Sequence, residues 1–309
     1  MAAYPKKLIL LVALVAVTGG LWAMGSPVIA RAQAATGRQA SARDGAPVTR
    51  IISLVPALTE VLFAIGAGPQ VIAVSSYDDF PPEVRALPQV GALLDPDVER
   101  ILALRPDLVL TYGSQNALEM QLARAGIRTF TYRHGGVAGV LDAARDLGAA
   151  TGHAEDGERK AREIEAQLDA VRAKVRPFGR PRTLLVFSRL PRSLQQMYVS
   201  GGAGFLDDIL QIAGGANVFA DVPRESVQPS HEILLARAPE VIIELHTTGM
   251  MASAGVLRER SLWAALASIP AVRRDRIHFL DGSYLVVPGP RVVLAAEALA
   301  RALHPEAFE

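Results

Sequence analysis

Short apolar runs alternate with amphipathic stretches between residues 50 and 132 of the chain. The apolar runs predict four β-strands, at 50–54, 71–74, 108–110 and 128–132. The stretches between them predict three helices, at 56–65, 96–104 and 117–125. Strands that alternate with helices in this way favour a parallel α/β sheet.

Residues 154–175 have a different pattern, with many charged side chains and a thin apolar stripe. The stripe consists of Ala161, Ile164, Leu168, Val171 and Val175. Its spacings of three and four residues predict one amphipathic helix, which would be roughly 30 Å long. The helix is either an ordinary surface helix of one lobe or a rigid strut between two lobes. Its position midway between two similar halves of the chain favours the strut.

The alternating pattern restarts after this helix. It predicts strands at 183–187, 217–219, 241–245 and 277–280, and helices at 205–213, 232–238, 261–267 and 290–303. We therefore expect two Rossmann-like α/β lobes joined by a single long helix, with a ligand cleft between them. The expected boundaries are 48–153 for the N-terminal lobe, 154–177 for the linking helix and 178–309 for the C-terminal lobe.

Two segments repeat nearly the same sequence 133 residues apart. Residues 99–110 (ERILALRPDLVL) are echoed by residues 232–243 (EILLARAPEVII). Each copy predicts a short helix that opens on a glutamate, a stop at a proline followed by an acidic residue, and a buried strand. A repeat of this length is typical of two similar lobes and not of a solenoid.

The glutamates of this repeat, Glu99 and Glu232, open equivalent helices. Asp95 is expected to cap the first helix and Ser230 the second. An acidic residue in the first turn complements the helix dipole by about 0.3–1 kcal/mol, which alone accounts for both glutamates. A matched pair, one in each lobe, also permits a second interpretation as docking points for a basic partner with two-fold symmetry.

The N-terminus has the layout of a secretory signal peptide. Two lysines precede an unbroken apolar run at 8–17, and residues 30–32 (ARA) offer a cleavage site. We expect a signal peptide over 1–32, cleaved near Ala32 or Ala34, and a disordered leader over 33–47. The alternative is an uncleaved membrane anchor, although residues 18–20 (TGG) interrupt a segment that is already short for a span.

Composition excludes several classes of function. The chain has no cysteine, which excludes disulfides, thiolate metal sites, a cysteine nucleophile and a lipid-modified cysteine anchor. Residues 1–32 hold three of the 32 basic residues and none of the 31 acidic ones, so the remainder carries 29 basic and 31 acidic side chains. Because no basic face is evident, nucleic acid is not an expected partner.

Tyrosines recur after the predicted strands of this chain. Every tyrosine after residue 47 follows a predicted β-run: Tyr77, Tyr112, Tyr132, Tyr198 and Tyr284. Ligands of such sheets bind outside the carboxyl ends of the strands. Strand-end tyrosines often only bridge core and solvent, but five of them together favour a ligand-lining role, with Tyr132 the weakest candidate.

Searches for catalytic motifs are negative. The chain contains no nucleophile elbow, no phosphate-binding loop of the P-loop type and no HExxH motif. The histidines are scattered, and only His134 and His246 follow predicted strands. An enzymatic alternative, such as a chelatase, would pair His246 with Glu244, because residues two apart on a strand share a face. Another alternative is an interaction module whose lobes sense a ligand for a membrane partner.

Four segments resemble one known family. Residues 50–60 (RIISLVPALTE), 74–82 (VSSYDDFPP), 97–107 (DVERILALRPD) and 230–237 (SHEILLAR) are similar to the periplasmic substrate-binding proteins of vitamin B12 importers. These proteins belong to a metal-chelate-binding class whose lobes are joined by one long helix. The resemblance runs in order from about residue 49 to residue 304.

This resemblance implies an exported, periplasmic, non-enzymatic binding protein with a ligand between its lobes. The implied partners are an ABC permease dimer with a cytoplasmic ATPase, and a monomeric binding protein is expected. The family's docking glutamates correspond to Glu99 and Glu232. No cofactor or protein-held metal is implied, because the metal arrives already chelated in the ligand.

The resemblance also implies ligand-contacting residues. Tyr77 matches an aromatic of the corrinoid pocket, whereas Tyr112 and Tyr284 stand where cobalamin binders carry tryptophan, and Tyr198 falls near a phenylalanine. Leu93 and Ser226 replace two further tryptophans. A flanking acidic residue is displaced to Asp281, with Ser283 at the aligned position.

Cobalamin or a related corrinoid is the favoured ligand. Haem and an iron–siderophore remain alternatives, because residues 281–291 (DGSYLVVPGPR) are slightly more similar to haem-binding relatives.

Overall fold

The structure is a computed structural model that describes residues 47–247 and 253–309. The predicted signal peptide and nearly all of the predicted leader lie outside these ranges. Within them the strands form two separate sheets, and the chain divides into two compact units. In the ranges described, no helix is both long and apolar enough to cross a membrane.

The first lobe contains a parallel four-stranded sheet. Its strands are β1 (Ile51–Ser53), β2 (Val71–Val74), β3 (Leu108–Tyr112) and β4 (Arg128–Tyr132), in the spatial order β2-β1-β3-β4. Its shorter helices are α1 (Pro56–Ala64), α2 (Val98–Ala103) and α3 (Asn116–Arg124). All five residues of β3 are buried, as expected for an inner strand of a parallel sheet covered on both faces. The alternating pattern therefore predicted this sheet correctly.

Two longer helices follow, α4 (Gly136–Thr151) and α5 (Ala154–Val175). The bounds of α5 are those predicted from its apolar stripe, and all five residues of the stripe are buried. The chain passes from one unit to the other three times: after Arg133, just before α4; after Asp142, inside α4; and after Lys160, inside α5. The role of α5 as the single connection between lobes stays a prediction.

The second lobe contains a six-stranded sheet, with five strands on its main path and one side strand. Its strands are β5 (Arg182–Ser188), β6 (Tyr198–Ser200), β7 (Ala216–Asn217), β8 (Ser226–Val227), β9 (Val241–His246) and β10 (Ile277–Asp281). Its helices are α6 (Phe205–Ile212), α7 (His231–Arg237), α8 (Ser253–Leu262), α9 (Pro270–Arg273) and α10 (Val292–Leu303). The spatial order is β10-β9-β5-β6-β8, and β7 pairs with β5. The fully buried Trp263 lies in the core of this lobe.

The second sheet is mixed and not purely parallel. Strands β10, β9, β7 and β5 run parallel to one another, whereas β6 pairs antiparallel with both β5 and β8. The sequence did not predict β6 and β8, because strands of two or three residues carry too little periodicity to be recognised.

Two local predictions are wrong. Asp95 does not cap the helix of Glu99. That helix begins two residues later than expected, and its N-cap is Asp97, whose Oδ1 accepts a hydrogen bond of 3.0 Å from the Arg100 amide. The helix predicted at 261–267 is instead the end of α8 followed by a 3₁₀ helix at Trp263–Leu266. Ser230 caps α7 as predicted, through the Ile233 amide.

Candidate ligand-binding site

Two tyrosines end neighbouring strands of the first lobe. Tyr112 and Tyr132 are the last residues of β3 and β4 and are paired in the register of the sheet. Their rings meet edge to face, with centroids 5.9 Å apart and planes at 72°. Burial raises the pKa of the Tyr112 hydroxyl, and the neighbouring Tyr132 and Asp78 raise it further. Tyr112 is therefore an uncharged aromatic side chain at the carboxyl edge of the sheet.

Tyr77 lies in a tight turn that begins at the end of β2. Oδ2 of Asp78 accepts hydrogen bonds from the amide and the hydroxyl of Ser75, and the Ser75 hydroxyl accepts one of 3.2 Å from the Tyr77 amide. Asp78 is only 7% exposed, whereas Tyr77 is half-buried. The buried carboxylate thus fixes the turn that presents the Tyr77 ring.

Burial also raises the pKa of Asp78 from 3.8 to about 6, although the hydrogen bonds from Ser75 oppose this shift. The repulsion from the nearby Glu60 carboxylate acts in the same direction as burial. Carboxyl groups with a pKa raised by burial are more common at functional sites than in purely structural turns, so Asp78 is a candidate for a role at the site.

The free energy of unfolding of Asp78→Asn, relative to that of the wild type, should increase as the pH rises from 4 to 7. Because the native pKa of about 6 lies above the usual 3.8, the native state holds the extra proton in this window, and the wild type loses stability as the pH rises through it. Two pKa units correspond to about 3 kcal/mol. Urea denaturation of both proteins at several pH values measures the difference, which should grow with pH and then level off above the native pKa. A difference that is constant with pH would contradict this role.

Gln115 ties Leu93 to Tyr112. The Gln115 amide group donates a 3.1 Å hydrogen bond to the Leu93 carbonyl, and its oxygen accepts one of 2.9 Å from the Tyr112 amide. Both Gln115 and Leu93 are buried, each 7% exposed. The turn before Leu93 is also joined to the Tyr77 turn, because the Gly91 carbonyl accepts a hydrogen bond from the Ser76 amide. Three of the predicted site residues, Tyr77, Leu93 and Tyr112, therefore belong to one bonded network.

Gln115→Leu is expected to lower the free energy of unfolding by about 2 kcal/mol, because it leaves the buried Tyr112 amide and Leu93 carbonyl without partners. Gln115→Glu serves as the matched variant, since its neutral carboxyl group keeps an acceptor for the Tyr112 amide and replaces the amide donor to the Leu93 carbonyl by a single O–H donor. Chemical denaturation should rank wild type above Gln115→Glu above Gln115→Leu at acidic pH, where the introduced acid is neutral. Equal stability of the leucine variant and the wild type would show that these hydrogen bonds do not hold the network.

Tyr198, in the second lobe, was predicted to follow a strand, but it is the first residue of β6. Antiparallel pairing nevertheless places it opposite Ser188, the last residue of β5. Its ring lies 6.4 Å from that of Phe187 and is half-buried. Tyr198 therefore reaches the carboxyl edge of β5 by running in the opposite direction.

Asp281 and Tyr284 lie at the end of the neighbouring strand pair. Asp281 ends β10 opposite His246, the last residue of β9, and the His246 carbonyl accepts a 2.8 Å hydrogen bond from the Gly282 amide. Gly282 has φ +150°, and a Cβ there would lie 2.3 Å from Cε1 of Tyr284. Only glycine lets the Tyr284 ring pack this closely over the backbone.

Ser226 is placed differently from the other predicted contacts. It begins β8 and pairs with Ser200 at the far end of β6, two residues along the strand from Tyr198. The structure thus brings Tyr198, Asp281 and Tyr284 to strand ends of the second lobe, whereas Ser226 lies further down the sheet.

The predicted approach of His246 to Glu244 is confirmed, with Nε2 of His246 3.6 Å from Oε2 of Glu244. The Glu244 carboxylate, however, already accepts two hydrogen bonds from the Arg189 guanidinium, from Nε at 2.9 Å and from Nη2 at 3.2 Å. It also accepts one from the indole of Trp263. Arg189 also pairs with Glu259. Burial alone would raise the pKa of Glu244, but its contacts with His246, Arg189 and Trp263 lower it.

This network has the form of a buried ion pair, in which Arg189 and Trp263 donate hydrogen bonds to both carboxylate oxygens of Glu244. Within residues 47–247 and 253–309, no three histidine, aspartate or glutamate side chains converge in a way that would hold a metal ion.

Glu99 and Glu232 are exposed residues in the first turns of α2 and α7. Neither side chain makes a hydrogen bond or ion pair with another described residue. The predicted equivalence of the two positions is confirmed, since each glutamate precedes a buried residue two positions later, Ile101 or Leu234.

The family described as "Periplasmic binding protein" matches residues 51–284 of this chain. The chain belongs to this family. It is 32% identical over 256 residues to the vitamin B12-binding protein of Salmonella typhimurium, an alignment that covers 82% of this chain and 90% of the relative. The family is one of substrate-binding proteins that work with ABC transporters.

Solved structures of the family have the same fold. The periplasmic vitamin B12 binding protein BtuF of Vibrio cholerae superposes with a TM-score of 0.71 at 26% identity, over 85% of this chain and 99% of that one. The periplasmic haem-binding protein RhuT from Roseiflexus sp. RS-1, in its apo form, superposes with a TM-score of 0.72 at 31% identity, over 84% and 99%. The expected α/β fold of two lobes is therefore correct, and the similarity extends to relatives with different ligands.

Three buried polar residues that hold elements near the candidate site were not found from the sequence: Asp78, Gln115 and Arg189. Gln115 and Arg189 contact residues far along the chain, and Asp78 holds a turn. No local sequence spacing distinguishes such residues from ordinary polar residues on the surface. Asp78 was the easiest of the three to predict, because it directly follows Tyr77 at a strand end.

Proposed function

We propose that this chain is the periplasmic substrate-binding component of an ABC transporter, and that it captures cobalamin or a related corrinoid. The observation that carries the proposal is the 32% identity to a vitamin B12-binding protein over 256 residues. It is supported by the aromatic residues at the carboxyl edge of each sheet, with Tyr77 and Tyr112 in one lobe and Tyr198 and Tyr284 in the other.

The physical basis of binding is burial of a large flat macrocycle against aromatic faces. Tyr77, Tyr198 and Tyr284 are half-buried, so each has ring surface left to cover. Apolar contact supplies roughly 25 cal/mol for each Å² removed from water. Polar strand-end groups such as Asp281 orient the side chains of the ligand. Leu93 supplies apolar contact beside Tyr112.

Delivery to the membrane completes the proposal. The protein is exported, and its signal peptide is removed near Ala32 or Ala34. The monomer docks on a dimeric permease that is driven by a cytoplasmic ATPase. Glu99 and Glu232 form charge-assisted contacts with basic residues of the permease. No catalytic step is required of the chain.

Haem is the second candidate ligand. The specific observation that favours it is the 31% identity and TM-score of 0.72 with a haem-binding protein. An iron–siderophore is the third member of the same metal-chelate class.

Calorimetric titration with cyanocobalamin, haemin and a ferric siderophore, together with visible spectra, tests the proposal. We expect one cyanocobalamin per chain with a sub-micromolar Kd and little heat from the other two. Haemin binding with a new Soret band, without cyanocobalamin binding, would replace the corrinoid by haem. Saturable binding of the siderophore alone would assign the third ligand.

A further inference from the structure

We propose that Leu102 and Leu235 are the apolar half of the permease-docking surface, each beside one docking glutamate. This inference rests on the proposed function, because it adds a second kind of contact to the docking that Glu99 and Glu232 perform there. The partner is a membrane protein that presents the same chemistry twice, a basic side chain next to an apolar hollow.

In the first lobe, the exposed side chain follows a buried one on the same short helix. Ile101 is fully buried in the core beneath α2, whereas Leu102 is 37% exposed. Leu102 lies three residues after Glu99, so the two side chains are neighbours on the helix surface. The acidic group and the apolar group thus form one small patch.

The second lobe repeats this arrangement on α7. Leu234 is fully buried, and Leu235, three residues after Glu232, is 41% exposed. Ile233, adjacent to the glutamate, is 46% exposed and enlarges the apolar part of this patch. The two patches therefore share the order of glutamate, buried aliphatic residue and exposed leucine.

A single exposed leucine needs no explanation, because much of any protein surface is apolar. The repetition at equivalent positions is what carries the inference. Among the described residues, eight large apolar side chains are prominent on the surface, and Leu102 and Leu235 are the pair that occupies matched positions of the sequence repeat. Both lie one helical turn from a glutamate without an ion-pair partner in the described ranges.

Charge and apolarity together specify the partner. An exposed carboxylate next to exposed leucine favours a surface where a cation borders an apolar hollow. Covering the leucine excludes water from around the ion pair, which strengthens the attraction by lowering the local dielectric constant. Interfaces commonly surround a few strong contacts with residues that exclude water from them.

The test measures delivery, with ligand binding as a separate readout. Purified variants are added at increasing concentration to spheroplasts of the native host that lack this gene, and uptake of radiolabelled cyanocobalamin is recorded. Leu102→Ser with Leu235→Ser should raise the half-saturating concentration of binding protein about 10- to 100-fold and leave the maximal rate and the ligand affinity unchanged. Leu102→Met with Leu235→Met should retain delivery within about threefold, because methionine keeps the apolar area.

Matched controls come from exposed apolar residues elsewhere in each lobe. Met120 on α3 is 58% exposed and Leu257 on α8 is 68% exposed. Met120→Ser with Leu257→Ser should change the half-saturating concentration less than about twofold, although it removes more exposed apolar surface. An equal effect of the two pairs would show that loss of surface hydrophobicity in general, and not this patch, impairs delivery, and would overturn the inference.

Salt dependence separates this inference from the docking on which it rests. The effect of removing the glutamates should shrink at high salt, whereas the effect of removing the leucines should persist. If the glutamate variants abolish uptake and the leucine variants match the wild type, the inference fails and ionic docking stands. If neither pair changes uptake while cyanocobalamin still binds, the docking itself fails.

Sedimentation of the wild type and the serine variant tests a different role for the leucines. Conversion of a wild-type dimer to a monomer by the serine substitutions would assign the leucines to contact between copies of this chain, and would also overturn the inference.

Discussion

Glu99→Ala combined with Glu232→Ala is expected to abolish cyanocobalamin uptake while calorimetry shows unchanged ligand affinity. Loss of one partner of a docked charge pair costs about 2–5 kcal/mol, so loss of both lowers the affinity for the permease by about 1,000-fold or more. Both side chains are exposed, and neither makes a hydrogen bond or ion pair within the described ranges, so folding and ligand capture should persist. Uptake into cells that carry only the variant gene is the measurement.

Two matched sets of variants make this experiment specific. Glu99→Gln with Glu232→Gln keeps the shape of both side chains and removes only the charge, and it should lose most of the uptake. Glu83→Ala with Glu306→Ala removes two exposed acidic residues elsewhere in the chain and should leave uptake unchanged. Normal uptake by the double alanine variant would show that the repeated glutamates serve only their helix dipoles, the simpler role that their positions permit.

Tyr77→Ala and Tyr284→Ala are each expected to weaken cyanocobalamin binding by about 30-fold or more. Truncation of an aromatic side chain at the centre of a binding surface typically costs at least about 2 kcal/mol, which corresponds to about 30-fold in Kd. The two residues belong to different lobes but contact the same ligand, so the double variant should bind more weakly than either single variant, without strict additivity of the two losses. Calorimetric titration of the single and double variants provides the Kd values.

Phenylalanine substitutions identify which part of each tyrosine acts. Tyr77→Phe and Tyr284→Phe keep the flat ring and should bind cyanocobalamin within about tenfold of the wild type, because one neutral hydrogen bond contributes about 1 kcal/mol. Equal losses for the phenylalanine and alanine variants would mean that the hydroxyl groups, not the ring faces, hold the ligand. Alanine variants with wild-type affinity would remove these tyrosines from the site.

The fold was predictable wherever one segment carries its own periodicity. The stripe of α5 fixed both ends of that helix, and the apolar runs of the first lobe predicted all four strands of its sheet. Helix α4 was missed, since glycines at 136, 139 and 148 resemble loop residues. The structure shows why glycine occurs at 148: a Cβ there would lie 2.8 Å from the His153 carbonyl oxygen and 3.0 Å from Cα of Gly157. The start of α5 packs against α4 backbone to backbone, a constraint that one helix viewed alone does not reveal.

The candidate site was predictable in its apolar part and not in its polar support. Tyrosines at strand ends follow from the rule that parallel sheets bind ligands at their carboxyl edge. Tyr198 reached that edge by antiparallel pairing, which no local pattern indicates. Gln115 and Arg189 act on partners 22 and 55 residues away, so only the folded chain identifies them. The repeat around Glu99 and Glu232 fixed equivalent positions, but a repeat carries no information on what binds there.

Competition among the candidate ligands tests the central claim most directly. The protein is dialysed against an equimolar mixture of cyanocobalamin, haemin and a ferric siderophore, and the ligand that it retains is identified and counted by its visible spectrum. Our account predicts retention of about one cyanocobalamin per chain, with the other two left in the dialysate. Retention of haemin or the siderophore in place of cyanocobalamin would contradict it.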